Sequence, residues 1–288
     1  MGTRILVIGG TGMLGLPVAR KLKSDGFDVT IMTTDPGRAT QQLGNEFSLV
    51  QGDVTDIESL RRGMSGQEQV YLNLNAKLQA DLYEKIEIGG TMNAATAARE
   101  EGIKRIGTIT TASSRGEPEG PIYLDAKVKA EKALKSSGVP YTIFRPSWFF
   151  ESLPLFVQGN RAAILGEQPI PRAWLAASDY ARQVARAFQT EEAANKCFYN
   201  LGPKTLTMME AVSQYCAEFH PKIKPMRVSF FQARLLSLLP GMKTLKLAIP
   251  FFKYYNSQFE ATSDDDADRI LGPNLTTLEE WMDKRRVQ

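Results

Sequence analysis

The feature that most constrains the fold is a run of glycines near the start of the chain. Gly9, Gly12 and Gly15 directly follow the apolar run of residues 4–8, which is typical of a strand buried in a parallel sheet. Apolar residues at helical spacing come next and predict a helix. In such a strand–loop–helix unit the three glycines permit a tight turn, the approach of a diphosphate and close helix packing, respectively. The loop therefore predicts a site for the diphosphate of a dinucleotide at the positive end of the first helix.

Strand and helix patterns alternate through the first part of the chain. Further runs of strand length lie at residues 28–33, 47–51, 69–74 and 105–111, and helical patterns lie at residues 38–43, 56–64 and 80–101. Later patterns predict helices at residues 122–137, 179–188, 208–218 and 277–284, and strands at residues 141–144 and 198–201. Alternation at this spacing predicts parallel strands with helices on both faces. We therefore expect an α/β fold with a Rossmann-type, doubly wound parallel sheet.

The composition excludes several classes of site and partner. A net charge of +3 is too small to indicate nucleic acid as a partner. The chain has one histidine, His220, so a multi-histidine metal site cannot form, and we expect no metal. Two cysteines without CxxC spacing favour a reducing, cytoplasmic location. Neither a signal peptide nor a transmembrane segment is evident, and the sequence indicates no oligomeric state.

The residues after the second strand bear on which dinucleotide binds. Asp35 has the position of an acid that holds ribose hydroxyls in NAD sites, or it simply starts a turn. Thr34 and Arg38 are placed to bind a 2′-phosphate, which favours NADP, with NAD as the alternative. Asp53, after the third strand, is placed either to reach the adenine or to cap the next loop.

A tyrosine and a lysine four residues apart follow the fifth strand. Tyr123 and Lys127 share one face of the predicted helix, near the expected nicotinamide. A nearby ammonium lowers the pKa of a phenol, and such a pair can pass a proton to a carbonyl oxygen during reduction. Lys127 is also a candidate ribose ligand. The alternative is structural, with Lys127 paired to Glu131 one turn later.

Six segments together resemble the atypical short-chain dehydrogenase/reductases, particularly the NmrA-like group. They are GGTGMLG at residues 9–15, GDVTD at 52–56, GTMNAA at 90–95, KVKAE at 127–131, SGVPYTIFRP at 137–146 and SDYA at 178–181. The resemblance implies one Rossmann domain and a smaller C-terminal substrate lobe. We expect residues 1–155 to form the NAD(P)-binding core, and residues 156–288 to complete the sheet at about 175–205 and to form the lobe.

The resemblance also implies roles for individual residues. NADP(H) is commoner than NAD(H) in this family, although many relatives carry arginine where this chain has Thr34. A tyrosine at the position of Tyr123, often missing in the family, favours an active enzyme, and Lys127 is the residue most often kept. The third catalytic residue is usually a serine or threonine after the fifth strand, where Thr110, Thr111, Ser113 and Ser114 compete. We favour Thr111. The candidate cofactor residues are Gly9, Thr11, Gly12, Met13, Leu14, Gly15, Thr34, Arg38, Asp53, Val54, Asn75 and Lys127.

Aromatic residues are expected on the substrate side. Trp148, Phe149 and Phe150 follow the strand after the catalytic helix, where they could stack on a flat substrate or pack in the core. Residues 230–252 are strongly apolar. They could contact a membrane surface or a protein partner. We favour folding over the substrate pocket, because a second lobe must bury its own core.

The sequence thus predicts an NADP(H)-dependent oxidoreductase acting on a small apolar carbonyl, enone or quinone. A non-catalytic NAD(P) sensor is the alternative, because the NmrA-like group contains such proteins. A sugar-nucleotide epimerase or dehydratase is a third hypothesis, because that chemistry also uses a Tyr–Lys pair.

Overall fold

A seven-stranded sheet in which every neighbouring pair is parallel organises the computed structural model, which describes residues 2–76, 79–114, 120–242, 245–261 and 263–286. The strands are β1 Arg4–Ile8, β2 Asp28–Thr33, β3 Ser48–Gln51, β4 Gln69–Leu72, β5 Arg105–Ile109, β6 Tyr141–Pro146, β7 Val157–Gln158, β8 Arg161–Leu165, β9 Arg172–Trp174, β10 Lys196–Asn200, β11 Lys204–Leu206 and β12 Met226–Val228. The helices are α1 Gly15–Ser24, α2 Pro36–Leu43, α3 Ile57–Met64, α4 Ala80–Leu82, α5 Gly90–Glu100, α6 Ile122–Lys135, α7 Ala177–Gln189, α8 Met208–Phe219, α9 Phe230–Leu236, α10 Leu245–Tyr255, α11 Asp265–Leu271 and α12 Leu278–Arg286.

The strand order places the glycine loop at the reversal point of the sheet. The order is β10-β6-β5-β4-β1-β2-β3, so the chain starts in the middle, moves outward to β3 and returns to β4 on the other side of β1. Ligands of such sheets bind in the crevice at the carboxyl ends of the strands where the order reverses. The predicted Rossmann-type fold class is confirmed.

Two apolar cores sandwich the sheet, one on each face. Along β1, Ile5 and Val7 pack with α1, α7 and α11, whereas Leu6 and Ile8 pack with α3, α5 and α6. This division follows from the alternation of side chains along a strand. Both faces of β1 are therefore buried, as its uninterrupted apolar sequence predicted.

A third apolar core lies beside the sheet and is built by the later part of the chain. It joins the short strands β8 and β9 to α8 and α12, with Trp174 fully buried at its centre. The ring of Phe150 stacks on Trp174 with a centroid distance of 6.4 Å. The predicted division into residues 1–155 and 156–288 stays a prediction, although β10 completes the sheet where a strand was expected.

The helix predicted at residues 80–101 differs most from expectation. The segment is a short α4, a π-helical stretch Tyr83–Gly89 and then α5. Glu87, within the π-helical stretch, is buried. Such stretches are frequent at functional sites. Periodicity did not reveal the break, because a π-helical insertion shifts the register of the apolar face without changing composition.

Several short elements have no counterpart in the sequence prediction. They are the 3₁₀ helices Phe150–Phe156 and Glu191–Ala193, the strands β7, β8, β9, β11 and β12, and the helices α9, α10 and α11. Most of these have two to five residues, too few for an alternating or helical pattern to stand out. The predicted loop at residues 114–121 falls largely on residues 115–119, outside the described residues. In the part of the chain that the structure describes, no helix is both long and apolar enough to cross a membrane.

A buried ion pair holds α6 against the sheet. Arg145 on β6 donates to both carboxylate oxygens of Glu131 on α6, at 3.1 Å to Oε1 and 2.5 Å to Oε2. Thr110 donates to the same carboxylate at 2.7 Å. Burial raises the pKa of the Glu131 carboxyl, but the Arg145 guanidinium outweighs burial and the pKa is lowered. The pair therefore fixes the helix that carries Tyr123 and Lys127.

We predict that Glu131→Gln destabilises the fold by about 3–5 kcal/mol, because it leaves the Arg145 charge buried without its partner. The measurement is the free energy of unfolding in urea at neutral pH. Because the folded pKa of Glu131 is lowered, the pair stabilises the fold near neutrality, and this contribution is lost as the pH falls through the carboxyl range. The matched control is Glu192→Gln, which breaks an exposed pair with Arg269 and should change stability very little. Equal effects of the two substitutions would contradict the prediction.

Candidate active site and dinucleotide crevice

The three glycines of the loop have different surroundings. Gly9 has φ of +81°, and a Cβ there would lie 2.3 Å from the carbonyl oxygen of Asn73. A Cβ on Gly15 would lie 2.1 Å from the carbonyl oxygen of Gly9. Neither position has room for a side chain. At Gly12 an added Cβ would meet only the Gly9 oxygen, at 3.3 Å, among the described residues. The loop is thus closed on its inner side and open over Gly12.

The N-terminus of α1 is available to an anion. None of the described side chains caps it, and its first turn holds no acidic residue. The first N–H groups of a helix have no partner within the helix and carry partial positive charge. Together with the open backbone over Gly12, this end of α1 fits a dinucleotide diphosphate. Thr11, Met13 and Leu14 complete the loop.

The acids after β2 and β3 are engaged in local hydrogen bonds. The Asp35 carboxylate caps α2 by accepting the Arg38 N–H at 2.9 Å. Asp53 Oδ1 accepts the backbone N–H and the hydroxyl of Thr55, each at 2.8 Å. A local structural role, which the sequence left as the alternative for both acids, is therefore one that they perform here: Asp35 caps α2, and Asp53 binds the next loop. Among the described residues, the second oxygen of each carboxylate accepts no hydrogen bond and is left for a ligand.

A polar cavity opens between the ends of β2 and β3. Thr34, Asp53 and Arg62 contribute to its lining. Arg38 lies outside this lining, exposed on α2, and Val54 is buried against α5. Sequence reasoning missed Arg62, which lies near the end of α3, because no pattern linked that helix end to β2.

Most of the predicted catalytic and substrate residues meet in one open cleft of about 310 Å³. The predicted residues in its lining are Met13, Leu14, Asn75, Thr111, Tyr123, Lys127, Trp148 and Phe149. These residues come from the ends of β1, β4, β5 and β6 and from α6. The crevice at the carboxyl ends of the strands is thus continuous from the glycine loop to the aromatic residues after β6.

Lys127 is held by a carboxylate that the sequence analysis did not single out. Its Nζ donates to Glu87 Oε2 at 2.7 Å and to the carbonyl oxygen of Leu74 at 3.2 Å. Both side chains of the ion pair are buried, and the other Glu87 oxygen accepts the N–H of Ala76 at 3.1 Å. The alternative partner considered from sequence, Glu131, binds Arg145 instead. Glu87 could have been suspected only as a lone acid on an otherwise apolar helix face.

Three hydroxyl groups form a chain at the floor of the cleft. The hydroxyls of Tyr123 and Tyr255 lie 3.1 Å apart, and that of Thr111 lies 3.4 Å from Tyr255. Burial raises the pKa of Tyr123 well above its ordinary value, and the Tyr255 phenol raises it further. The Lys127 ammonium pairs with Glu87 rather than with the Tyr123 phenol. The Tyr123 phenol is therefore a proton donor at neutral pH, rather than the phenolate that an adjacent ammonium would favour.

A buried carboxylate lies next to this chain. Glu260 accepts the Ser147 hydroxyl at 2.6 Å and the Ser113 hydroxyl at 3.4 Å, and Arg172 lies 3.7 Å from it. Burial raises the pKa of the Glu260 carboxyl, and this effect exceeds the opposing one of Arg172. Perturbed carboxyls in a cleft mark candidate functional sites. The only sequence signal for Glu260 is that it ends a long stretch without acidic residues.

The aromatic residues after β6 divide between the cleft and the core. The Trp148 ring lies in the cleft, 5.3 Å from the ring of Tyr255. Phe149 also lines the cleft and packs edge-on against Tyr180. Phe150 does not reach the cleft, because its ring is enclosed between Trp174 and Trp281 in the third core. Helix α10 closes the opposite side with Phe251 and Tyr255, so part of the apolar segment at residues 230–252 does fold over the pocket.

A known family accounts for the first two thirds of this architecture. The family profile described as NAD(P)H-binding matches residues 9–189, from the glycine loop to the end of α7. The chain belongs to the NAD(P)H-binding family. The matched segment contains the loop, Lys127, Tyr123 and the residues after β6, whereas Tyr255 and Glu260 lie beyond it.

The most similar proteins include reductases. The (4-alkanoyl-5-oxo-2,5-dihydrofuran-3-yl)methyl phosphate reductase of Streptomyces griseus is 27% identical over 216 residues, which cover 73% of this chain and 72% of the relative. The Citrobacter triphenylmethane reductase complexed with NADP(H) has a TM-score of 0.77 at 19% identity, covering 97% of this chain and 99% of that one. The Escherichia coli NADPH-dependent quinone oxidoreductase complexed with NADPH has a TM-score of 0.75 at 21% identity, covering 98% and 99%. At these identities the two structures show a shared fold.

We predict that alanine weakens cofactor binding at one glycine of the loop and destabilises the fold at another. Gly12→Ala should leave the fold largely intact, because the added methyl group meets only the Gly9 oxygen, at 3.3 Å, among the described residues. It should weaken NADPH binding at least about tenfold by blocking the approach of the diphosphate. Gly15→Ala should destabilise the fold by about 1–3 kcal/mol, because the methyl group overlaps the Gly9 backbone. Titration calorimetry with NADPH and urea unfolding measure the two effects. Unchanged NADPH affinity in Gly12→Ala would remove the diphosphate from this loop.

Proposed function

We propose that the protein is an NADP(H)-dependent oxidoreductase of the atypical short-chain, NmrA-like type, which transfers hydride to or from a flat apolar carbonyl, enone or quinone. The observation that carries this proposal is the meeting of loop residues, a buried Lys–Glu pair, a protonated Tyr123 and an aromatic wall in one cleft. Each part corresponds to one requirement of reduction by a nicotinamide: a place for the cofactor, a proton donor and a surface for the substrate.

The residues of the crevice provide a binding site from one end to the other. The backbone over Gly12 and the start of α1 hold the diphosphate, and Lys127 holds the ribose next to the nicotinamide. An ammonium has three N–H donors, and Glu87 and Leu74 take two of those of Lys127. Among the described residues the third has no partner, so it is left for a ribose hydroxyl. NADPH, when bound there, supplies a hydride and thus both electrons of the reduction.

Tyr123 supplies the proton that completes the reduction. Its phenol O–H donates to the substrate oxygen, which becomes a hydroxyl as the carbonyl carbon is reduced. The Tyr255 hydroxyl, 3.1 Å away, can return a proton to Tyr123. Thr111 is within reach of the same hydroxyl and serves to orient the chain or the substrate oxygen. The raised pKa of Tyr123 keeps its phenol protonated at neutral pH, so that a proton is present to be donated.

The cleft favours flat apolar substrates. Trp148, Phe149 and Phe251 line it, and ring faces of this kind stack on aromatic or quinonoid compounds. The relatives support the same class, since one is a triphenylmethane reductase and another a quinone oxidoreductase. The dihydrofuran phosphate reductase adds a conjugated ring carbonyl to this range.

We predict that Tyr123→Phe lowers the turnover number about 100-fold or more while leaving the Kd for NADPH nearly unchanged, because it removes only the donated proton. The measurement is oxidation of NADPH, followed by its absorbance, with a panel of quinones, enones and triphenylmethane dyes.

The matched control for this substitution is Tyr141→Phe. Tyr141 begins β6 at a distance from the cleft lining, so its loss of a phenol O–H should leave the rate unchanged. An unchanged rate in Tyr123→Phe would remove Tyr123 from the mechanism. Tight NADPH binding by the parent protein, with no oxidation by any compound, would contradict the reductase and favour a non-catalytic NAD(P) sensor.

NADP rather than NAD is the proposed cofactor, because the cavity beside β2 offers a cation to a 2′-phosphate. Arg62 lines this cavity together with Thr34, Asp53 and Asp56, and the Arg62 guanidinium lies 3.9 Å from the Asp56 carboxylate. A guanidinium whose carboxylate partner is this distant can rotate toward a phosphate. The planar guanidinium is well suited to bind phosphate oxygens.

We predict that Arg62→Gln raises the Kd for NADPH roughly tenfold and leaves the Kd for NADH unchanged, because only NADPH carries the 2′-phosphate. The control is the neighbouring Arg61→Gln, since Arg61 faces Glu58 and Glu100 instead of the cavity. Parallel weakening of both dinucleotides, or no change in either, would contradict the assignment of the 2′-phosphate to Arg62.

A further inference from the structure

An unusual concentration of apolar side chains faces solvent between α9 and α10. Phe231, Leu235, Leu236, Leu238, Leu239 and Met242, here called the apolar tip, are all exposed, and Phe231 and Leu238 retain 72% and 73% of their accessible surface. Together with Met226, these residues make up about half of the exposed large hydrophobic side chains of the described residues. Isolated exposed apolar residues are ordinary, but a contiguous patch marks an interaction site.

The charged side chains in the segment that surrounds the apolar tip are all basic. Residues 219–259 contain five lysines, two arginines and neither aspartate nor glutamate. The whole chain carries 35 basic and 32 acidic residues, so the rest of the chain is net acidic. The basic charge of this protein is thus concentrated in the segment that carries the apolar tip.

Two cations flank the apolar tip directly. Arg234 lies on α9, and Lys246 lies in the first turn of α10. Both side chains are exposed, and neither has a carboxylate within 4.0 Å among the described residues. Their charge is therefore available to a partner rather than neutralised within the fold.

We propose that the apolar tip binds the surface of an anionic lipid bilayer. Leucine and phenylalanine side chains that project from a turn can enter the boundary of the acyl chains, while lysine and arginine beside them meet the lipid headgroups. The combination of apolar and exclusively basic residues favours lipid over a protein partner, whose complementary surface would have to supply acids around an apolar pocket. Binding is peripheral and depends on both parts of the surface.

The test is co-sedimentation of the full-length protein with vesicles, in the absence of cofactor and substrate. We expect binding to vesicles of phosphatidylcholine with phosphatidylglycerol, much weaker binding to phosphatidylcholine alone, and release at high salt. The double substitution Leu238→Glu with Leu239→Glu should lower the partition coefficient at least about tenfold, because it places two charges at the apolar boundary. Arg234→Gln with Lys246→Gln should weaken binding to the anionic vesicles only.

The matched control is Leu275→Glu. Leu275 is 70% exposed but lies outside the basic segment, so its substitution should leave vesicle binding unchanged. Circular dichroism of each variant verifies folding. No sedimentation with either vesicle, or equal sedimentation of the parent and the Leu238/Leu239 variant, would overturn the proposal. A concentration-dependent dimer that the same double substitution abolishes, without vesicle binding, would overturn it in favour of self-association.

Discussion

The contact between the loop after β1 and the first turn of α1 is the constraint on which the rest of the site depends. A Cβ on Gly15 would lie 2.1 Å from the Gly9 oxygen, so only glycine lets α1 begin this close to the strand. The same approach directs the uncapped end of α1 over the carboxyl edge of the sheet. Everything else in the crevice is placed relative to that edge, because β4, β5 and β6 end beside it in parallel register.

Buried charges then fix the helix that carries the candidate catalytic residues. Helix α6 is held at two levels: Glu131 binds Arg145 on β6, and Lys127 binds Glu87 in the π-helical stretch. Each pair is enclosed, so each ion depends on its partner for compensation of its lost hydration. In this arrangement Tyr123, one turn before Lys127, faces the cleft, and its hydroxyl is hydrogen-bonded to that of Tyr255. Lys127 therefore acts on the site mainly by holding neighbouring groups in place, because its ammonium is bonded to Glu87 and to the Leu74 carbonyl oxygen.

Local pattern was sufficient for the parts of the fold with strong periodicity. The strands at residues 4–8 and 28–33 match the structure residue for residue, and the helix predicted at residues 56–64 is α3, with Asp56 as its N-cap. The predicted meeting of Thr111, Tyr123 and Trp148 followed from one topological rule, that parallel strands present their carboxyl ends at one edge. Pattern failed at residues 80–101, where a π-helical stretch interrupts the helix, and at the short strands β7 to β9, which have too few residues to show alternation.

The sequence by itself determined the fold class and the position of the glycine loop, because both depend on the order of neighbouring residues along the chain. Tertiary structure alone decided which groups meet in the cleft from distant segments. Glu87 comes to Lys127, Tyr255 to Tyr123 and Glu260 to Ser147. Hydrogen bonds and ion pairs join groups that lie a few ångströms apart in space, whatever their separation along the chain. The amino-acid sequence without the fold therefore does not reveal these pairs. The same holds for Phe150. Its ring packs with Trp174 and Trp281 in the third core, away from Trp148 and Phe149, which line the cleft.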